Sequence, residues 1–187
     1  MIDDASIDFV FSFDSLVHVE PDVIESYLRQ LAVKLKPDGV GFFHHSNLGQ
    51  YEKRMRRAKQ IRTLLLKRRF IWRMERFFNE AENLNVGYWR SLNVTAELFR
   101  KYCARSGLAC ISQELINWHE TDVLIDCLSL FTKAASMYAR DCVIAENNEF
   151  MREAEGALKL ALLYPRKPNM SLAGNERTPG CQRLRRL

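Results

Sequence analysis

The pattern that most constrains this chain is a strand, a helix and a second strand within its first 47 residues. Ile7-Asp8-Phe9-Val10-Phe11-Ser12-Phe13 is a short, nearly continuous apolar run, as expected of a parallel strand buried on both faces. Ile24, Tyr27, Leu28, Leu31 and Leu35 follow at i, i+3, i+4, i+7 and i+11, one apolar stripe along a helix over residues 21–35. Pro21 suits its first turn, Asp22 and Glu25 suit the positive end of its dipole, and Lys34 and Lys36 the negative end. Pro37-Asp38-Gly39 reads as the turn that ends the helix, and Val40-Gly41-Phe42-Phe43-His44-His45-Ser46-Asn47 as the second strand. A helix between two such strands makes them parallel with a right-handed crossover. Each strand ends in a polar cluster, one over residues 14–20 and the other at His44-His45-Ser46-Asn47. Open α/β sheets bind ligands at the carboxyl ends of their strands, so both clusters stand where chemistry is placed.

Composition narrows the setting. With 47% hydrophobic and 27% charged residues the chain is ordinary for a globular protein. No run approaches the roughly 18 apolar residues of a membrane span, and Asp3 and Asp4 replace the basic flank of a signal peptide, so a cytoplasmic protein without membrane partners is expected. Five cysteines, odd in number and without a Cys-x-x-Cys pair, read as buried reduced thiols. The net charge of +5 is uneven: residues 52–78 hold eleven Lys/Arg against Glu52 and Glu75, and the remainder is net acidic. A high pI confined to one segment argues against a general nucleic-acid binder.

Residues 52–78 read as a basic helix with Met55, Ala58, Ile61, Leu65 and Trp72 on one side, and residues 79–93 as a loop. Thr95 is a plausible N-cap for a helix over 96–106 burying Leu98, Phe99 and Tyr102, with Gly107 as its stop. Residues 108–118 and 123–133 are strand-like runs joined by His119-Glu120-Thr121-Asp122, which suggests an antiparallel hairpin. Residues 134–164 are helix-like, with Phe150, Ala154, Leu158 and Leu162 in register, and 165–187 read as a disordered basic tail.

This order of elements resembles the carboxyl-terminal half of a class I S-adenosylmethionine-dependent methyltransferase. Asp8-Phe9-Val10-Phe11-Ser12 with Leu16-Val17-His18 resembles that family's fourth strand and the loop beyond it. Leu35-Lys36-Pro37-Asp38-Gly39-Val40 resembles its turn into strand five, and Gly107-Leu108 its entry into strand six. Residues 124–132 would be strand seven, which in this fold inserts antiparallel between strands five and six. The resemblance covers residues 1–133 and implies a partial Rossmann-like α/β sheet: two parallel strands, a carboxyl-terminal antiparallel hairpin, and a basic helical insert or lid over 52–93. Residues 134–164 would be a helical extension. The family's glycine-rich turn after strand one and the acidic end of strand two, which cradle the cofactor, would lie upstream of Met1. The first strand is then expected at a sheet edge, open to self-association.

The resemblance implies S-adenosylmethionine as cofactor, with Phe13, Asp14 and Ser15 against it, and a hydroxyl of a small polar acceptor, such as a sugar, as methyl acceptor. His18 has the pKa range of a general base, or else it packs against or caps the helix entered at Pro21. His44 and His45 are consecutive on a strand and face opposite sides, so at most one enters a given cleft, with His45 the catalytic candidate and His44 the acceptor-side one. Ser46 and Asn47 can hydrogen-bond an acceptor, and Trp89 with Arg90 can stack on it. Gln113 and Glu114 sit on opposite faces of a hairpin strand. No compact motif suggests a metal site. The rival reading is a non-catalytic interaction module that binds an anionic partner through the basic 52–78 helix.

Overall fold

The computed structural model describes residues 2–67, 90–118 and 123–164. The elements in chain order are β1 (Ile7–Leu16), α1 (Pro21–Lys34), β2 (Leu35–Ser46), a 3-10 turn (Leu48–Tyr51), α2 (Glu52–Lys67), α3 (Ala96–Arg105), β3 (Leu108–Ile116), β4 (Asp126–Lys133), β5 (Val143–Asn147) and α4 (Phe150–Ala161). Two compact units divide the chain, Met1–Glu153 and Ala154–Leu187; of the second, residues 154–164 are described. The expected basic tail, the second half of the basic segment and Trp89 lie outside the described residues.

The first unit is an α/β fold with a mixed sheet in the order β1-β2-β4-β3-β5. β1 runs parallel to β2, as a helical crossover requires. β4 is antiparallel to both its neighbours and lies between β2 and β3. That placement satisfies the backbone of β2 on both sides, with β1 closing one flank and β4 the other.

One face of the sheet carries α1 and α3. Ile24, Leu28 and Leu31 of α1 and Phe99 and Cys103 of α3 pack onto Leu35, Phe43, Leu108, Cys110 and Phe131 in a single buried cluster. Burying the four large side chains, Ile24, Leu28, Leu31 and Phe99, contributes about 1.5–3 kcal/mol each relative to exposure. Thr95 caps α3, its hydroxyl accepting the Leu98 amide at 3.0 Å. Gly107 then closes the helix at φ +75°, a left-handed conformation that glycine adopts without strain. Gly41 is needed for a different reason. A Cβ there would stand 2.1 Å from the Phe131 ring, so the bare strand makes room for that ring in the core.

Several expectations need correction. Among the described residues β1 is covered on one face only: Phe9 and Phe11 are 57% and 62% exposed, because alternation turns them away from α1 and α3. Tyr27, assigned to the buried stripe, is 45% exposed. Pro37-Asp38-Gly39 lies inside β2, which starts directly after α1 at Leu35. Asp14 and Ser15 belong to β1, in an irregularity where the register slips between Ser12 and Leu16. Residues 134–149 are not helical. They turn at Ser136, whose hydroxyl donates to Asp38 Oδ1 at 2.9 Å, and then form β5 parallel to β3, so the described sheet has five strands rather than four.

Candidate functional site

The parallel strands β1 and β2 end on the same side of the sheet, where β4 begins and β3 finishes. The chain therefore delivers Asp14, His44, Asp126 and Trp118 to one place. The segment leading into α3 adds Arg90. It is held there because Ser91 donates its amide to Val17 O at 3.0 Å and Gly49 donates its own to Val94 O at 3.0 Å.

Asp126 is the centre of this cluster and is fully buried. Arg90 grips it in a fork, Nε to Oδ1 at 3.0 Å and Nη2 to Oδ2 at 2.8 Å. Trp118 Nε1 donates to Oδ2, and His44 Nε2 lies 3.1 Å from the same oxygen, close but poorly aligned for a hydrogen bond. Burial alone would push the Asp126 carboxyl up. The His44 and Arg90 contacts outweigh it and hold the pKa below the ordinary value. A saturated, ionised and buried carboxylate cannot take a substrate proton; it fixes the groups around it.

One such group is the loop end of β1. The Asp14 amide donates to His44 Nδ1 at 3.1 Å, so the proton of the neutral ring belongs on Nε2, facing Asp126. Arg90 Nη2 also lies 3.8 Å from Asp14 Oδ1. Asp14, His44, Asp126 and Arg90 thus form a closed ring of contacts. Asp14 has φ +57°, the left-handed region that costs a non-glycine residue conformational energy, and the ring is what holds it there. Phe13 packs on the outer side, its ring 4.6 Å from that of His44 and edge-on to Trp118. Arg90 lies over the Trp118 ring at 5.9 Å.

The two adjacent histidines have separate surroundings. His45 is enclosed on the helix side, stacked on Phe99 at 4.3 Å and 9°. Its Nδ1 lies 2.9 Å from the Ser46 carbonyl and its Nε2 2.9 Å from Ser129 Oγ, so the ring donates at Nδ1 and accepts the serine hydroxyl at Nε2. Burial, more than the nearby His44, lowers its pKa to about 4 against the opposing Ser46 bond and Asp126 charge. The structure gives His45 no path to a substrate. His44 faces the other side, where Nδ1 accepts the Asp14 amide and Nε2 is buried 3.1 Å from Asp126 Oδ2.

Ser46 and Asn47 are also spent on structure. Ser46 Oγ donates to Ser91 O at 2.8 Å and accepts the Leu48 amide. Asn47 Nδ2 donates to Leu124 O and its Oδ1 accepts the Ala96 amide, tying β2 to the start of α3. Gln113 is buried and donates to Ala96 O and Ser129 Oγ, whereas Glu114 faces the opposite side and accepts from Asn147. His18, by contrast, is exposed in the turn after β1, with no side-chain hydrogen bond among the described residues. Ser15 is exposed and donates to Phe13 O.

Sequence reasoning missed Asp126 and the role of Trp118. The available signal was an acidic residue inside the apolar run Val123-Leu124-Ile125-Asp126-Cys127-Leu128. A charge in a strand buried on both faces needs a partner, and Arg90 was already a candidate. Among the described residues no group of three or more His, Cys, Asp or Glu is arranged to hold a metal, and no helix is long and apolar enough to cross a membrane. No protein-family model, curated protein or solved structure matches this chain.

Proposed function

We propose that this chain carries the acceptor-facing part of a class I S-adenosylmethionine-dependent methyltransferase, acting on a hydroxyl of a small polar acceptor such as a sugar. The observation that carries the reading is β4. It lies antiparallel between β2 and β3, the insertion implied by the family resemblance, with a polar cluster at the carboxyl ends of the parallel pair. The cofactor fits these residues in part. Phe13, Asp14 and Ser15 can reach its methionine end from the close of β1. Among the described residues its adenosine half has no counterpart: the one Gly-x-Gly in the sequence, Gly39-Val40-Gly41, is inside β2, and the Phe131 ring occupies the space beside Gly41. When bound, the sulfonium supplies an electrophilic methyl group. The chain's own residues do the rest: the ring around Asp126 sets the backbone of residues 13–15, and the exposed His18 takes the acceptor's proton.

A second reading, an interaction module for an anionic partner, draws on the exposed Lys53, Arg54 and Arg57 at the start of α2. Isothermal titration separates the two. Residues 1–187 should bind S-adenosylmethionine no tighter than millimolar and transfer no methyl group by themselves, since several hydrogen bonds at ~1 kcal/mol each are missing. Heparin should bind no better than to a charge-matched control. Micromolar binding of the cofactor would show that its site is complete without a glycine-rich turn. Tight heparin binding with no cofactor contact would favour the interaction module.

A further inference from the structure

Three thiols scattered in the sequence meet at one corner of the sheet. Cys103 on α3 and Cys110 on β3 are buried, and Cys142, one residue before β5, is half-buried. Cys142 Sγ stands 3.9 Å from Cys110 Sγ, and Cys103 contacts Cys110 from the helix side. β5 is the outermost strand opposite β1, its side chains are mostly exposed, and among strands it pairs with β3 alone. Two sulfurs in van der Waals contact need to close by about 2 Å to reach disulfide length. One of them sits on the chain entering a lightly held edge strand, so the required movement falls on the part of the sheet best able to make it.

We propose that Cys110 and Cys142 are an oxidisable thiol pair that staples β5 to β3. Cys142 is the accessible partner and meets the oxidant, a peroxide. Its sulfur is oxidised to a sulfenic acid as the peroxide O–O bond breaks and one water leaves. The Cys110 sulfur then attacks the Cys142 sulfur, the S–OH bond breaks, and the hydroxide departs as a second water with the Cys110 proton. The sum is two thiols and one hydrogen peroxide giving one disulfide and two waters. Cys103 is fully enclosed and takes no part. Burial pushes the Cys142 thiol up to about 12, so this pair answers sustained oxidant and is no catalytic nucleophile.

The test treats the full reduced chain with hydrogen peroxide, blocks free thiols, and maps crosslinks by tandem mass spectrometry of tryptic peptides. A link between Cys110 and Cys142 is expected, kept in Cys103→Ser and abolished in Cys142→Ser. Amides of Val143–Asn147 should exchange at least tenfold more slowly in the oxidised protein, with no change in oxidised Cys142→Ser. No link, a link from Cys142 to Cys103 or Cys127 in its place, or unchanged exchange in the linked protein would overturn the proposal.

Discussion

Lowering the pH should destabilise this fold through His45 before its carboxylates titrate. The ring is neutral in the folded state because burial outweighs the Ser46 carbonyl bond, which leaves its pKa at about 4, well below the ordinary histidine value of 6.5. In the unfolded chain it protonates near 6.5. Stability from this residue is therefore full above pH 6.5 and is lost as the pH falls towards 4, where the unfolded state binds a proton that the folded state refuses. At about 1.4 kcal/mol per pH unit the loss comes to about 3 kcal/mol. Urea denaturation followed by tryptophan fluorescence at pH 7, 5.5 and 4 measures it, and a loss of that size moves the midpoint by roughly 1–3 M. Ordinary carboxylates also begin to protonate at the low end, so the comparison is with His45→Gln, which keeps a polar group beside Ser129 and cannot titrate. The wild type should lose about 3 kcal/mol more than the variant across this range. Parallel curves would mean that His45 is solvated or charged in the folded state and that its enclosed position is wrong.

Asp126→Asn should cost about 3 kcal/mol, because it leaves the Arg90 guanidinium facing a neutral amide in a buried site. Adding Arg90→Met should recover part of that loss, and additive effects in the double-mutant cycle would deny the pair. Phe11→Lys should reduce dye binding and self-association in sedimentation velocity, since Phe11 is exposed and stacks on Phe42 on the uncovered face; unchanged association would exonerate this face. Thr95→Ala should cost about 1 kcal/mol by calorimetry, with a negligible change refuting the cap.

The order strand, helix, strand in the first 47 residues was legible because its signals are local, whereas the turn expected at Pro37-Asp38-Gly39 lies inside β2. The apolar run, the i, i+3, i+4 stripe and Pro21 act within a few residues of one another, and Thr95 and Gly107 marked α3 for the same reason. β5 was not legible. It is five residues long and exposed, and nothing in Val143-Ile144-Ala145-Glu146-Asn147 separates a short edge strand from a helix start. Exposure of Phe9 and Phe11 was equally hidden, since an apolar run looks the same whether one face is covered or both. The site was legible as a place at the strand ends, but the roles within it were not. Which of two adjacent histidines meets Asp126 is decided by pleat direction and by pairing with β4, some 80 residues downstream. Ser46 and Asn47 look available for a ligand until the amides and carbonyls of Ser91, Ala96 and Leu124 arrive to use them.

The reading of the β1 end as a cofactor contact is tested most directly by amide chemical-shift mapping during titration with S-adenosylmethionine to several millimolar. The account predicts weak, saturable shifts concentrated on Phe13 to His18, with α2 undisturbed and the response reduced in Asp126→Asn, whose loop is no longer held. Shifts confined to α2, or none at the β1 loop at the highest concentration, would contradict it.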